Sequence, residues 1–222
     1  MSGPDAAVAK FDARAATYEH SVLQSILYIP AQQRALQLAQ RLMPQPRRVL
    51  DIGCGTGRLL RQARQQYPMA ALVGVDLAWG MVATATAAAP AELAIRHIHA
   101  AAERLPFAGR VFDLVVATMS LRHWADLAAG IAEIDRVLAP GGVLIVADLF
   151  PTCRRQSPPL AVLRRRSRDH GGAPAELAAV LAPHRLVVVG CERMPWVALP
   201  DVEIIAAQKP LCPHLDPPTQ QP

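Results

Sequence analysis

Val49-Leu50-Asp51-Ile52-Gly53-Cys54-Gly55-Thr56-Gly57 runs from an apolar stretch, through an acid, into three glycines at alternate positions. Such a run suits a buried parallel strand that turns sharply into a helix. Glycine alone reaches positive φ freely and lets a ligand approach the main chain closely. A bulky residue at Gly53 or Gly55 is therefore expected to block the site. The acid argues against a phosphate ligand, because a carboxylate would repel the charge that a glycine loop and helix N-terminus otherwise attract. A nucleotide-like cofactor with a cationic or amino-bearing part fits better. The spacing is neither G-x-G-x-x-G nor a P-loop ending in Gly-Lys-Ser/Thr.

Three further elements follow in order. Leu72-Val73-Gly74-Val75-Asp76 is a second apolar run ending in an acid, placed to accept the ribose hydroxyls of an adenosine. Ala102-Glu103-Arg104-Leu105-Pro106-Phe107 precedes Val111 to Thr118, which reads as a buried fourth strand. Ile134 to Ala139 reads as the end of a helix stopped by Pro140-Gly141-Gly142, with a strand at once after it. Together these resemble the class I S-adenosylmethionine-dependent methyltransferases, over about residues 47–209.

The resemblance implies a role for each matching residue. Gly53, Gly55 and Gly57, with Cys54 among them, would line the methionine and ribose portions of S-adenosylmethionine, while Asp51 holds the loop and reaches the amino group directly or through water. Asp76 would bind the ribose hydroxyls, and Leu77 and Met81 would pack on the adenine. The backbone at Ala102 and Glu103 would meet the adenine edge, and the Thr118 carbonyl would take the methionine amino group. Ala101 stands where the family often has an acid for the adenine amino group, so Glu103 or a water is expected to take that part.

The alternation of strands and helices predicts a Rossmann-like α/β fold, a doubly wound parallel sheet with its ligand at the carboxyl ends of the strands. Strands are expected near 48–52, 71–76, 94–98, 112–118, 142–149, 185–190 and 202–207. By family likeness the last is antiparallel and lies between the fifth and sixth. Helices are expected near 56–66, 79–89, 125–138 and 174–181. Residues 1–45 read as a helical cap over the cleft, with helices at 6–18 and 31–43. Residues 46–209 then form the methyltransferase domain, and 210–222 a proline-rich, disordered tail.

A chain of 222 residues with 52% hydrophobic content suffices for one sizeable core. No apolar stretch approaches the roughly 20 residues that cross a bilayer. The start, Met-Ser-Gly-Pro-Asp, has no basic segment followed by an apolar run, so a cytoplasmic setting is expected. Cys54, Cys153, Cys191 and Cys212 are far apart and suggest neither metal nor disulfide. The net charge of +5 is uneven, with Arg154, Arg155, Arg164, Arg165, Arg166 and Arg168 in one segment. That segment reads as a solvated surface or as a dock for an acidic partner, an anionic substrate or a membrane surface. Nucleic acid is not expected, since the arginine run contains no aromatic residue to stack on a base.

Methyl transfer needs an in-line approach and exclusion of water, and a general base only where the nucleophile must lose a proton. In Leu121-Arg122-His123-Trp124, His123 is the candidate catalytic base, with packing or capping of the next helix as its other reading. Arg122 reads as a surface or substrate-anion contact. Tyr18, in Phe11-Asp12-x-x-Ala15-x-x-Tyr18, either touches cofactor or substrate or packs the cap. This start, with Leu105-Pro106-Phe107 and Leu121-Arg122, is similar to the quinone-pathway methyltransferases, which methylate a quinol ring and usually carry Asn where His123 stands. The same start resembles the malonyl-carrier-protein O-methyltransferases, whose acidic partner suits the arginine run. A small-molecule acceptor of quinol, phenol or carboxylate type, a carrier-bound acyl group and a non-catalytic, cofactor-binding role are the readings left open.

Overall fold

The computed structural model describes residues 4–150, 175–195 and 201–211. The expectations placed on the arginines of 154–168 lie outside the described residues, as does the tail from 212 on.

Seven strands form one sheet: β1 (Arg48–Ile52), β2 (Ala71–Asp76), β3 (Ile95–His99), β4 (Phe112–Thr118), β5 (Leu138–Leu149), β6 (Val187–Met194) and β7 (Val202–Gln208). Their order is β3-β2-β1-β4-β5-β7-β6. The first five pair in parallel, and β7 runs antiparallel to both neighbours. Alternation along the central strands explains the layers, because successive side chains of a strand point to opposite faces. Val49, Leu114, Val116, Val143, Ile145, Ile204 and Ala206 feed one apolar cluster, which α2 (Ile29–Leu42) and α3 (Arg58–Gln66) cover. Leu50, Ile52, Val115, Ala117, Leu144, Val146, Ile205 and Ala207 feed the other, covered by α5 (Leu127–Val137) and α6 (Ala175–Leu181). The strand order reverses between β1 and β4, so the crevice at their carboxyl ends is where such sheets bind ligands.

Three local features depart from the sequence expectation. The Pro-Gly-Gly turn does not stop a helix. Helix α5 ends at Val137, Leu138 pairs at once with Phe112, and the register then shifts so that Val143 faces Leu114. Gly141 (φ 78°) and Gly142 exchange backbone hydrogen bonds with Lys209, so Pro140-Gly141-Gly142 is a bulge inside β5. The first helix is also shorter than expected. Helix α1 (Pro4–Arg14) gives way to a 3-10 stretch, Ala15–His20, and a wide π turn, Gln24–Tyr28, then leads into α2. Pro30 in the first turn of α2 accounts for the widening, because its ring would collide with the carbonyl four residues back in a regular helix. Third, α2 packs on the sheet through Ala31, Ala35, Leu36, Leu38 and Ala39 and belongs to the main core. Only its first turns reach the cleft.

Candidate active site

The glycine loop is held by backbone and by one carboxylate. The N–H groups of Gly53 and Cys54 both donate to the Val75 carbonyl, at 2.8 and 2.9 Å. At the tip of β2, Asp76 Oδ2 accepts from Gly55 N at 2.8 Å and Oδ1 accepts from Ala78 N at 2.9 Å. A carboxylate oxygen has a second lone pair, so Asp76 retains acceptor capacity toward the cleft. Burial raises its pKa, against the pull of these two N–H groups.

The three glycines do different things. Gly53 (φ 72°) lies so close to Ser120 that an added Cβ would come within 2.4 Å of the Ser120 Cβ. Gly55 (φ 54°) has nothing within 4 Å of that position, so its missing side chain leaves open cleft. Gly57 starts α3 in a left-handed conformation beside His97.

The cleft encloses about 960 Å³ including its open mouth. Of the residues singled out in the sequence, Tyr18, Gly53, Cys54, Gly55, Asp76 and Leu77 line it. So do Met81, Ala102, Glu103, Thr118 and His123. Gly57 and Asp51 are not in its wall. Asp51 is 1% exposed and lies behind the loop, its Oδ1 without a hydrogen-bond partner. The loop contact expected of it is made instead by Asp76 and Val75.

Burial, with Asp76 adding repulsion, pushes the Asp51 carboxyl up to about 8. Between the ordinary carboxylate range and about 8 the folded chain therefore holds a proton that the unfolded chain has lost, and stability falls as pH rises through that window. Asp51→Asn is expected to remove this slope and to melt above wild type at pH 8. Thermal melts of the ligand-free proteins at pH 5 and pH 8 check this, and parallel curves for both would contradict it.

The cap is tied to the loop by charge. Glu19 accepts from Thr56 Oγ1 at 2.6 Å, Arg61 at 2.6 Å and Arg58 at 2.9 Å, and Gly80 N donates to Asp12 at 2.7 Å. Phe11 meets the Tyr18 ring edge-on at 6.1 Å and the His123 ring at 5.0 Å. His123 thus faces both cap and cleft. Capping of α5 falls instead to Asp126, whose side chain accepts from Ala129 N. Burial first, and then the Arg122 charge, lower the His123 pKa and keep the imidazole neutral at pH 7. Burial holds the Tyr18 hydroxyl in its protonated form. Arg122 is not a free anion contact. It donates to buried Asp148 at 2.6 Å and to the Tyr28 hydroxyl at 3.1 Å. One Glu103 oxygen accepts from Ala125 N and Asp126 N and braces the loop before α5, which leaves the other as an acceptor at the cleft wall.

Phe11, Gln24, Tyr28, Gln32, Ser120 and Trp124 also line the cleft and were not assigned a site role from the sequence. A signal existed for three of them. Gln24, Tyr28 and Gln32 recur at every fourth position, a spacing that puts side chains on one helical face.

Residues 50–146 match a family model described as a methyltransferase domain. With the sheet order and the glycine loop, this makes the matched stretch a class I S-adenosylmethionine-dependent methyltransferase domain. It is 40% identical to a demethylmenaquinone methyltransferase of Thermus thermophilus over 119 residues, 53% of each chain. It is 33% identical to a malonyl-[acyl-carrier protein] O-methyltransferase of Methylovorus sp. over 166 residues, 72% of this chain and 54% of that one. The chain thus spans about half the length of these curated relatives. In fold it is similar to the 1,6-didemethyltoxoflavin-N1-methyltransferase of Burkholderia thailandensis, solved with 1,6-didemethyltoxoflavin and S-adenosylhomocysteine. That likeness has a TM-score of 0.65 at 18% identity, over 95% of this chain and 92% of that one.

Proposed function

We propose that this protein transfers a methyl group from S-adenosylmethionine to an uncharged aromatic small molecule of the quinol or phenol class. The observation that carries the acceptor class is the cleft wall. Phe11, Tyr18, Tyr28, His123 and Trp124 supply ring faces and edges, and among the described residues its one cation, Arg58, donates to Glu19. An anionic acceptor would meet, among the described lining residues, only a guanidinium already paired with Glu19.

The residues present fit the cofactor. Asp76 has acceptor capacity for ribose hydroxyls, the open space at Gly55 is a cradle that a Cβ would fill, and Met81 and Leu77 offer apolar surface for a base. Bound there, S-adenosylmethionine supplies an electrophilic methyl on a sulfonium. The chain's own part is orientation, dryness and proton handling. Thr118 and the loop backbone position the amino-acid end, with Asp51 behind them, and Ala102 borders the base. The Glu19 contacts draw the cap over the cleft and exclude water. Neutral His123 takes the proton of an acceptor hydroxyl, and protonated Tyr18 serves as a donor.

Asp76→Ala removes a charged acceptor for two hydroxyls and is expected to weaken S-adenosylhomocysteine binding by about 1.5–3 kcal/mol. Calorimetry on the folded variant checks this, and unchanged affinity would remove Asp76 from the ribose site. The reaction itself is tested by release of S-adenosylhomocysteine with 1,4-dihydroxynaphthalene as acceptor under anaerobic conditions.

A second reading, transfer to a carrier-bound malonyl group, draws support from the malonyl-carrier-protein relative, whose match extends over 72% of this chain. Turnover with that thioester and none with the diol would favour it and would bring an acidic partner to the arginines of 154–168. Cofactor binding without turnover on either would favour a non-catalytic partner protein. Among the described residues no helix is long and apolar enough to cross a membrane, and a cytoplasmic setting is part of the proposal.

A further inference from the structure

The wall formed by the π turn and the start of α2 contains two amides that the rest of the fold leaves without a partner among the described residues. Gln24 is 3% exposed and lines the cleft, and none of the hydrogen bonds among the described residues reaches its side chain. Gln32 lines the same cleft, and its Oε1 is buried without a partner. Between them Tyr28 presents its ring, with its hydroxyl fixed by Arg122 at 3.1 Å. The three side chains recur at i, i+4 and i+8, so one continuous helical face supplies them all. An amide buried without a partner is costly, and a native chain that keeps one where an apolar side chain would pack calls for an explanation. The widened turn ahead of Pro30 turns this face, and not the exposed Val22, Leu23 and Ile26, toward the cleft.

We infer that Gln24 and Gln32 are the acceptor-reading residues of the cleft, which recognise hydroxyl or carbonyl groups on an uncharged ring lying against Tyr28. The Gln32 carbonyl oxygen takes a hydroxyl proton donor from the ligand. The Gln24 amide, which carries both a donor and an acceptor, meets a second oxygen function. An amide pair also discriminates by charge, because neither residue offers a full positive charge to a carboxylate. A site built to hydrogen-bond a hydroxyl rejects the analogue that lacks it, since the amide is then left unpaired. This deepens the proposed methyl transfer by naming what the acceptor must carry, and binding tests it without turnover.

The probes are 1,4-dihydroxynaphthalene and naphthalene, titrated anaerobically by calorimetry into protein saturated with S-adenosylhomocysteine. Wild type is expected to prefer the diol by about tenfold or more, the range of a single buried hydrogen bond. Gln32→Met and Gln24→Met keep the side-chain length without the amide and are expected to lose most of that preference. Their affinity for S-adenosylhomocysteine should stay within about twofold of wild type. Ligand-free Gln32→Met should also melt higher, by about 2–4 °C, because an unpaired buried polar group has been removed. A merely structural glutamine would behave in the opposite way. A wild type with no preference, or variants that keep the preference and melt lower, would overturn the inference. A preference for the diol with no methyl transfer to it would leave the amide reading intact and defeat the proposed reaction.

Discussion

Gly53→Ala is expected to lose about 2–5 kcal/mol of stability, while Gly55→Ala folds and loses cofactor affinity instead. Both glycines have positive φ, so a Cβ at either position meets the same kind of backbone penalty, about 1–2 kcal/mol. The difference lies in what stands opposite. At Gly53 the new carbon would come within 2.4 Å of the Ser120 Cβ, far inside the usual carbon contact of about 3.5–4.0 Å. Ser120 cannot move freely, because its buried hydroxyl donates to the Ile52 carbonyl at 2.9 Å and so joins the ends of β1 and β4. Overpacking of this kind adds about 1–3 kcal/mol, for a total that is a large part of the roughly 5–15 kcal/mol that holds a domain folded. At Gly55 the new carbon projects into open cleft. There it meets ligand, and S-adenosylhomocysteine binding should weaken by about tenfold or more. Denaturant melts and calorimetry on the two variants separate these outcomes. Equal melting points, or wild-type binding by Gly55→Ala, would show that the assignment is wrong.

The contrast also marks how far the sequence could be read. Local patterns were legible, since β1, β4 and β5 are buried on both faces and each therefore stands out as a continuous apolar run in its own residues. The acid at the end of β2 was legible for the same reason, as was the crevice at the strand ends. What escaped were the pairings between distant segments. Gly53 looked like a residue kept small for a ligand, but Ser120, on the loop after β4, explains it as well. Asp51 looked like a cofactor contact, but a second acid, Asp76, holds the loop and leaves Asp51 buried with its pKa raised. The bulge at Gly141 depends on Lys209 as partner, which no local pattern names. Helix α2 showed its apolar face correctly, yet periodicity reports that a face is buried and not which surface covers it.

Asp148→Ala is expected to cost about 2–4 kcal/mol, because two backbone N–H groups lose their acceptor and a partly exposed guanidinium loses its partner. Asp148 is 1% exposed at the end of β5. Its Oδ1 accepts from Arg122 at 2.6 Å and from Leu149 N at 2.7 Å, and its Oδ2 accepts from Leu121 N at 2.9 Å. Removing it leaves two backbone N–H groups without their acceptor, and a guanidinium whose side chain is 32% exposed without its partner. The loss should reach the cleft as well, because the same guanidinium steadies the Tyr28 hydroxyl. Arg122→Met is expected to be milder, since Asp148 keeps both of its backbone donors. The double variant should recover part of the Asp148→Ala loss, because no unpaired cation remains, and the shortfall from additivity measures the pair. The cycle decides what Arg122 is for. A clamp between β5 and the cap gives a large coupling in stability and a modest change in cofactor binding. A substrate-anion contact would give little coupling and a loss confined to acceptor KM, and that outcome would return Arg122 to the role its position in the sequence first suggested.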